Sequence, residues 1–268
     1  MNNKPQILLT NDDGIDSPGL WAAAEALSEI GYVWVIAPRE QSSGMGRSTP
    51  NTSDGIITPK KLTVHGKEWT IFAVGGSPAQ AVQHGILEII QEKPDLIVSG
   101  INYGLNLGTA VTISGTIGAT LEGAEHGIPS LAISLETAKE YHLSHSSDID
   151  FTAASHFTKY FGQRLISGRF DPRVQIIKVD IPSDASCDTP WTITRLSTHP
   201  YYIPIQGPRA DWNQPALLDY TIEEDIEKFE KGSDVYAVIG KRLVSITPLT
   251  LDMTAPVDFI ELESQLKN

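Results

Sequence analysis

Two adjacent carboxylates, Asp12 and Asp13, are the residues whose type and spacing most directly suggest chemistry. They follow Gln6–Thr10, an apolar run that predicts a buried strand. Neighbouring carboxylates repel each other, and a hard divalent cation between or beside them relieves that repulsion. The pair therefore predicts a metal site, although a turn made by Asp13 and Gly14, with Asp12 as a capping residue, accounts for the same residues.

A loop rich in glycine and asparagine follows a second apolar run, Leu96–Val98. It contains Asn102 and Asn106. An asparagine side chain offers a neutral oxygen to a hard cation and an N–H₂ group to an anion. Taken alone, the segment is more typical of an ordinary glycine-rich loop, so its interest depends on what lies beside it.

Two hydroxyl-rich segments have groups that suit an anion. Ser114–Thr116 begins a predicted helix, where free backbone N–H groups and the positive end of the helix dipole favour a phosphate. Simple capping of the helix by Ser114 explains the same pattern without a ligand. The loop Gln41–Thr49 combines hydroxyls with Arg47 and suits a phosphate or a metal, and a solvated surface loop is equally consistent with it.

These four segments all follow predicted strands. Strands are predicted over residues 6–10, 32–37, 62–64, 69–74, 96–98 and 131–134, and helices follow caps at Ser17, Ser77 and Ser114. This alternation predicts an α/β fold, with a mostly parallel sheet covered by helices on both faces. Ligands of such sheets bind beyond the carboxyl ends of the strands, so we expect the four segments to lie together.

The pattern weakens after residue 136. A helix is predicted over Ala153–Ile166, and strands are predicted over Val174–Val179 and Val244–Ile246. The segment His199–Pro215 is rich in proline and aromatic residues and has no clear period. It therefore predicts an extended arm or a subunit contact.

Composition narrows the classes of function. With 20 basic against 33 acidic residues, the 268-residue chain has a formal net charge of −13, which disfavours nucleic-acid polymers and anionic membranes as partners. Cys187 is the only cysteine, which excludes an internal disulfide and a cysteine-based zinc site. The sequence lacks a hydrophobic signal core and an apolar run of the ~18 residues that cross a bilayer, so we expect a cytoplasmic protein.

Motifs of several other enzyme classes are absent from the sequence. There is no G-x-G-x-x-G after the first strand, no G-x-x-x-x-G-K-[ST] and no G-x-S-x-G. Their absence argues against a dinucleotide cofactor, a P-loop NTPase and an α/β-hydrolase. His142 and His145 lack an accompanying H-E-x-x-H, and we expect both to be solvent-exposed.

At these motifs the sequence resembles the survival protein E (SurE) family of divalent-metal-dependent phosphatases. The resemblance is dense over about half of the chain, and residues 7–14 and 94–108 together are its most specific part. The other matching stretches are Ala37 and Pro38 with Ser43 and Gly46, residues 114–119, and residues 244–249.

The resemblance implies a phosphomonoesterase that hydrolyses nucleoside 5′- and 3′-monophosphates and, in some members, short polyphosphate. It implies one divalent cation per subunit, Mg²⁺ or Mn²⁺, with ligands at Asp12, Asp13, Ser43 and Asn102. It also implies a Rossmann-like core, here residues 1–198, and a C-terminal arm with a closing strand, here residues 199–268. The arm would be exchanged between the subunits of a homodimer or homotetramer.

On this hypothesis a water molecule is the nucleophile. The catalytic residues are expected to be Asn11, Asp12 and Asp13, and the phosphate-binding residues Asn106, Ser114, Gly115 and Thr116. Two alternatives are kept. One is an aspartyl-phosphate phosphatase with Asp12 as nucleophile, against which the adjacency of the two aspartates argues. The other is a non-catalytic nucleotide- or metal-binding module used for assembly.

One departure from the family pattern lies in the helix that follows Ser77. Family members usually carry Gly-Thr-Pro-Ala-Asp-Cys-Val where this chain has Gly76–Val82, with Gln80 and Ala81 replacing the Asp-Cys pair. Ser77 keeps the cap, and Gln80 can act as the acidic residue would, so we expect the helix geometry to be kept. The effect of Gln80 and Ala81 on substrate preference or on the subunit contact is left open.

Overall fold

A computed structural model describes residues 4–64, 66–142, 146, 148–209 and 211–267. Its strands are β1 (Gln6–Thr10), β2 (Tyr32–Pro38), β3 (Ile57–Val64), β4 (Lys67–Val74), β5 (Leu96–Tyr103), β6 (Ser130–Leu135), β7 (Ile176–Ile181), β8 (Trp191–Ile193), β9 (Tyr202–Ile205), β10 (Asp219–Ile222) and β11 (Val244–Leu249). Its α-helices are α1 (Pro18–Ser28), α2 (Pro78–His84), α3 (Gly115–Glu125), α4 (Thr152–Ser167) and α5 (Phe259–Lys267).

Within these described residues, a central sheet has the order β3-β4-β2-β1-β5-β6-β7-β11-β8. The strands from β4 to β7 in this order are all parallel to one another, whereas β3 is antiparallel to β4 and β11 is antiparallel to β7. The α/β class with a mostly parallel sheet is thus confirmed. The chain extends the sheet from β1 through β2 to β4 and then returns to place β5 on the other side of β1. The direction of winding therefore switches between β1 and β5, where open α/β sheets bind ligands.

Helices cover both faces of the sheet. On one face α1 and α4 pack together, and on the other face α2 and α3 do so. Ile7 and Leu9 of β1 point into the core beneath α1 and α4, whereas Leu8 points into the core beneath α2 and α3. A strand buried on both faces needs apolar residues at successive positions, which explains the continuous apolar run of β1.

The helix after Ser77 keeps its predicted start in spite of the sequence departure. The backbone N–H of Gln80 donates to Ser77 Oγ at 3.2 Å, and Gln80 Oε1 accepts from the backbone N–H of Ser77 at 3.0 Å. This is a complete capping box, so the expectation that the geometry survives is confirmed. The regular α-helix ends at His84, and a π-helical turn over Gly85–Ile89 completes the segment.

Residues 199–268 contribute both to the central sheet and to a separate hairpin. Strand β11 lies between β7 and β8 in the central sheet, whereas β9 and β10 form a two-stranded antiparallel sheet of their own. The division at residues 198 and 199 stays a prediction. None of the helices among the described residues is both long enough and apolar enough to cross a membrane.

Candidate active site

A cavity of about 680 Å³ opens at the carboxyl ends of β1 and β5, where the winding of the sheet switches. Most of the predicted site residues line it: Asp12, Asp13, Ser43, Asn102, Asn106 and Ser114. Segments far apart in the sequence therefore meet at one place, as the strand pattern predicts. The other three predicted residues, Asn11, Gly115 and Thr116, lie directly behind this lining.

Asp12 is held by the first turn of α3. Thr116 Oγ1 donates to Asp12 Oδ1 at 2.6 Å, and the backbone N–H groups of Gly115 and Thr116 also favour the charged carboxylate. A Cβ at Gly115 would lie only 2.7 Å from the Cβ of Asp12, so glycine is needed for this approach. Burial nevertheless raises the pKa of Asp12 above its usual 3.8, because the hydrogen bonds offset only part of the lost hydration.

Asp13 lies in a more unfavourable environment. It is 3% exposed, and its Oδ2 accepts the backbone N–H of Tyr103 at 3.3 Å. Burial, and secondly the charge of Asp12, raise the pKa of Asp13 well above its usual 3.8. Two ionised carboxylates side by side without water are costly, and a cation in contact with both offsets that cost.

Neutral oxygens complete a donor set that fits a hard cation. Asn102 Nδ2 donates to the carbonyl of Gly104 at 2.7 Å, which leaves its amide oxygen for a cation. Ser43 is exposed at the cavity wall, and the neighbouring backbone N–H of Ser42 donates to the carbonyl of Asp12 at 2.7 Å. Two carboxylates, an amide oxygen and a hydroxyl are ligands typical of Mg²⁺ or Mn²⁺.

Two further observations concern whether these residues can bind a cation. Among the described residues no cluster of three or more His, Cys, Asp or Glu side chains is arranged to hold a metal, so a cation here depends on neutral oxygens as well as on the two aspartates. Next to Asp12, the buried Oδ1 of Asn11 has no hydrogen-bond partner in the described structure, while its Nδ2 donates to the carbonyl of Gly14 at 3.1 Å. A buried acceptor without a donor is unfavourable, and a water molecule or a cation would satisfy it.

The start of α3 and the Asn106 loop offer hydrogen-bond donors to the same cavity. Ser114 Oγ accepts the backbone N–H of Ile117 at 3.2 Å as the cap of α3, which leaves its own O–H to donate. Asn106 Nδ2 donates to Ser134 Oγ at 2.8 Å, and its second amide hydrogen is available to a ligand. Thr116 differs from the prediction, because its hydroxyl is given to Asp12 and supports that carboxylate.

Arg47, a candidate for binding phosphate or metal, instead anchors the loop that carries Ser43. Its Nε lies 2.8 Å from Oε2 of the buried Glu122 in α3. The loop also packs closely on α3 at Gly118, where a Cβ would lie 2.0 Å from the carbonyl oxygen of Gly46. Arg47 thus positions the Ser43 loop.

Sequence reasoning missed the far wall of the cavity. It is formed largely by the β9–β10 hairpin and the turn before α4, with Lys139, His142, Tyr201, Tyr202, Leu218 and Tyr220. The aromatic character of His199–Pro215 is the available signal, but it predicts only an extended arm or a subunit contact and not a cavity wall.

The expectation that His142 is solvent-exposed is wrong. Its ring is partly buried against the hairpin, with Nδ1 3.3 Å from the hydroxyl of Tyr220. Burial lowers the pKa of His142 below its usual 6.5. His145 lies outside the described residues.

Comparison with known proteins assigns the family. The model of the family described as Survival protein SurE matches residues 7–202. The chain belongs to the SurE family. Two of its relatives each bear the name 5′-nucleotidase SurE. The protein of Thermococcus gammatolerans is 39% identical, and the alignment covers 97% of this chain and 96% of the relative. The protein of Archaeoglobus fulgidus is 40% identical, and the alignment covers 95% of this chain and 94% of the relative.

The fold agrees with that of a solved SurE protein. The crystal structure of SurE from Aquifex aeolicus superposes with a TM-score of 0.74 at 32% identity, and the alignment covers 98% of this chain and all of that one. The carboxylate pair, the asparagine loop and the N-terminus of α3 thus lie within a SurE fold.

Proposed function

We infer that this SurE protein is a 5′-nucleotidase, a phosphatase of nucleoside monophosphates. The observation that carries the inference is the pair of buried carboxylates, Asp12 and Asp13, which line one cavity beside the N-terminus of α3. Relatives that align over nearly the whole chain bear the name 5′-nucleotidase, which supports the same conclusion. We extend the proposal to 3′-monophosphates, and short polyphosphate belongs among the substrates to be assayed.

We propose that one Mg²⁺ or Mn²⁺ per subunit is held by Asp12, Asp13, Ser43 and Asn102. When bound, such a cation offsets charge on the phosphoryl oxygens and lowers the pKa of a coordinated water. The raised pKa values of both aspartates support this proposal, because the ion-free pair is the unfavourable state. Asn11, through its unsatisfied Oδ1, is suited to orient a water molecule beside the pair.

The phosphate is proposed to lie in the cavity beside this cation site, within reach of Ser114 and Asn106. There the free hydroxyl hydrogen of Ser114 and the second amide hydrogen of Asn106 stabilise charge that develops on the phosphoryl oxygens. The dipole of α3, an 11-residue helix, acts in the same direction. The nucleoside is proposed to contact the aromatic wall, where Tyr202 and Tyr220 supply apolar ring surface with polar ends.

Replacement of Asp12 by Asn tests the proposed function. It removes a charged ligand while keeping the shape, so divalent-dependent phosphate release from AMP should fall by about 10²–10³-fold or more. Asp16→Asn is the matched control, because Asp16 is exposed four residues away and should leave the rate unchanged. The assay compares 5′- and 3′-monophosphates and short polyphosphate, with Mg²⁺, Mn²⁺ or Co²⁺ and with EDTA.

Three results would contradict the proposal. Unchanged turnover of Asp12→Asn would reject the assigned site. Nucleotide binding by calorimetry with no phosphate release under any metal would favour a binding module. A trapped phospho-enzyme would favour Asp12 as a nucleophile.

We also propose that the protein is a homodimer or homotetramer. Large apolar side chains protrude from the loop of the β9–β10 hairpin, where Trp212 is 90% and Leu217 is 91% exposed. Ile260 and Leu266 of α5 are exposed as well. Apolar side chains so exposed in neighbouring groups are typical of interaction surfaces, and a second copy of the chain is the partner that we propose.

A further inference from the structure

A cluster of three charged side chains is fully buried behind the active-site cavity without lining it: Lys178, Asp180 and Asp234. Lys178 and Asp180 share one face of β7, whereas Val179 between them points into the core beneath α1 and α4. Lys178 Nζ contacts Asp180 Oδ2, lies 3.0 Å from Asp234 Oδ2 and donates to a backbone carbonyl. All three N–H donors of the ammonium group are thus used.

The cluster forms hydrogen bonds with the backbone of the loop that carries Asn106. Lys178 Nζ donates to the carbonyl oxygen of Asn106 at 2.9 Å, and the backbone N–H of Asn106 donates to Asp180 Oδ1 at 2.9 Å. Two residues later, the backbone N–H of Gly108 donates to Asp234 Oδ2 at 2.9 Å. The peptide groups on both sides of the Asn106 side chain are therefore fixed by charged partners.

Asp234 also connects the cluster to Ser197, which follows β8. Its Oδ1 accepts the backbone N–H groups of Ser197 at 3.0 Å and of Val235 at 2.9 Å. Each oxygen of this carboxylate thus accepts two hydrogen bonds. The cluster thus joins β7, the Asn106 loop, and the segments at Ser197 and Val235 through hydrogen-bonded polar groups.

Stability alone is a poor explanation for such a cluster. Taking three charges out of water costs more than their attraction returns in many proteins, and apolar residues of similar volume often serve stability equally well or better. The charged side chains instead determine the position of the loop, because each forms a hydrogen bond with a particular backbone atom of residue 106 or 108.

We propose that Lys178, Asp180 and Asp234 are positioning residues for phosphate-ester hydrolysis, which hold Asn106 where its amide reaches the phosphoryl group. The proposal rests on the proposed function, since it assigns Asn106 to the phosphoryl oxygens. None of the three touches substrate. They act only through the backbone of residues 106–108.

Two double variants with opposite expectations test the proposal. Lys178→Met/Asp180→Leu keeps the volume and removes both contacts to the Asn106 peptide groups. Because displacement of a catalytic group by ~1 Å can cost 10²-fold, kcat for AMP should fall by at least about tenfold. The KM should stay within about threefold, since Asn106 acts on the transition state. Lys178→Gln/Asp180→Asn keeps donors and acceptors in both side chains and should restore most of kcat.

Two controls separate positioning from general stability. Val179→Ala removes core volume from the same strand without touching the loop, and it should lower the melting temperature but leave kcat unchanged. In an Asn106→Ala background, Lys178→Met/Asp180→Leu should lower kcat no further, because its effect passes through Asn106.

Amide hydrogen exchange gives a readout that does not depend on activity. In the wild-type protein the N–H groups of Asn106 and Gly108 should be protected like those of β7, and the Met/Leu variant should lose this protection. Fast exchange at these amides in the wild type would overturn the proposal even if the variants failed to fold. A folded Met/Leu variant with wild-type kcat, or a loss additive with Asn106→Ala, would also overturn it. Absence of nucleotidase activity in the wild-type protein is instead a failure of the proposed function.

Discussion

At the scale of single residues, the burial of Asp13 beside Asp12 lowers the stability of the metal-free protein at neutral pH. The folded-state pKa of Asp13 is raised, first by burial and then by the charge of Asp12. A carboxyl group whose pKa is higher in the folded than in the unfolded state binds its proton more tightly when folded. Its contribution to stability is therefore complete below the usual 3.8 and is lost as the pH rises through the folded-state value. At neutral pH the ionised pair thus lowers the stability of the metal-free protein, and the proposed cation would offset this loss.

Asp13→Asn should accordingly stabilise the metal-free protein while abolishing its response to metal. In EDTA at pH 7 the variant should melt above the wild type, by about 2–4 °C for each kcal/mol of repulsion removed. Mn²⁺ should raise the melting temperature of the wild type and leave that of Asp13→Asn unchanged. Differential scanning calorimetry with and without Mn²⁺ measures both effects. A lower melting temperature of the variant in EDTA, or a preserved shift with Mn²⁺, would contradict the interpretation.

At the scale of elements, the first turn of α3 has two tasks. Ser114 caps the helix, while Gly115 and Thr116 hold Asp12. Helix α2 also begins with a capping serine, Ser77, but this residue does not line the Asp12 cavity. The two serines allow the structural and the chemical role of a cap to be separated.

Ser114→Ala and Ser77→Ala should each lower the free energy of unfolding by about 1 kcal/mol, since each removes a side-chain cap. Only Ser114→Ala should reduce kcat/KM for AMP, by about tenfold or more, because a hydrogen bond to a charged phosphate is worth ~1.5–3 kcal/mol. Urea unfolding and steady-state kinetics on both variants measure the two effects. Equal losses of activity would show that the cap acts through stability alone.

The elements also show how far the sequence could predict the molecule. The bounds of β1 and the place of Asp12 and Asp13 at its end were predictable, because a continuous apolar run and an acidic pair are local features. Strand β3 was predicted only over its last three residues, since its exposed Lys60 and Lys61 follow no apolar pattern and its pairing with β4 defines it. Lys178 was beyond prediction, because its burial depends on Asp234, 56 positions away.

At the scale of the whole molecule, a strongly acidic chain also exposes large apolar side chains. A formal charge of −13 makes copies of the chain repel one another. The hairpin loop and α5 nevertheless expose large apolar side chains. The proposed self-association would bury these apolar side chains.

Trp212→Ser/Leu217→Ser should therefore reduce the mass of the particle in solution without loss of the fold. Sedimentation equilibrium should give a dimer or tetramer for the wild type and a smaller species for the variant. Leu87→Ser is a suitable control, because Leu87 is 70% exposed but lies outside the hairpin, and this change should leave the mass unaltered. A monomeric wild type, or an unaltered mass of the Trp212 and Leu217 variant, would refute the proposed assembly.

The order of the segments along the chain has a consequence for biosynthesis. Every proposed ligand of the cation precedes residue 103, whereas the side chains that fix Asn106 come from positions 178, 180 and 234. During translation the proposed cation ligands therefore leave the ribosome first, and the proposed positioning residues follow much later. If both proposals hold, the residues for cation binding are synthesised well before those that complete the site for turnover.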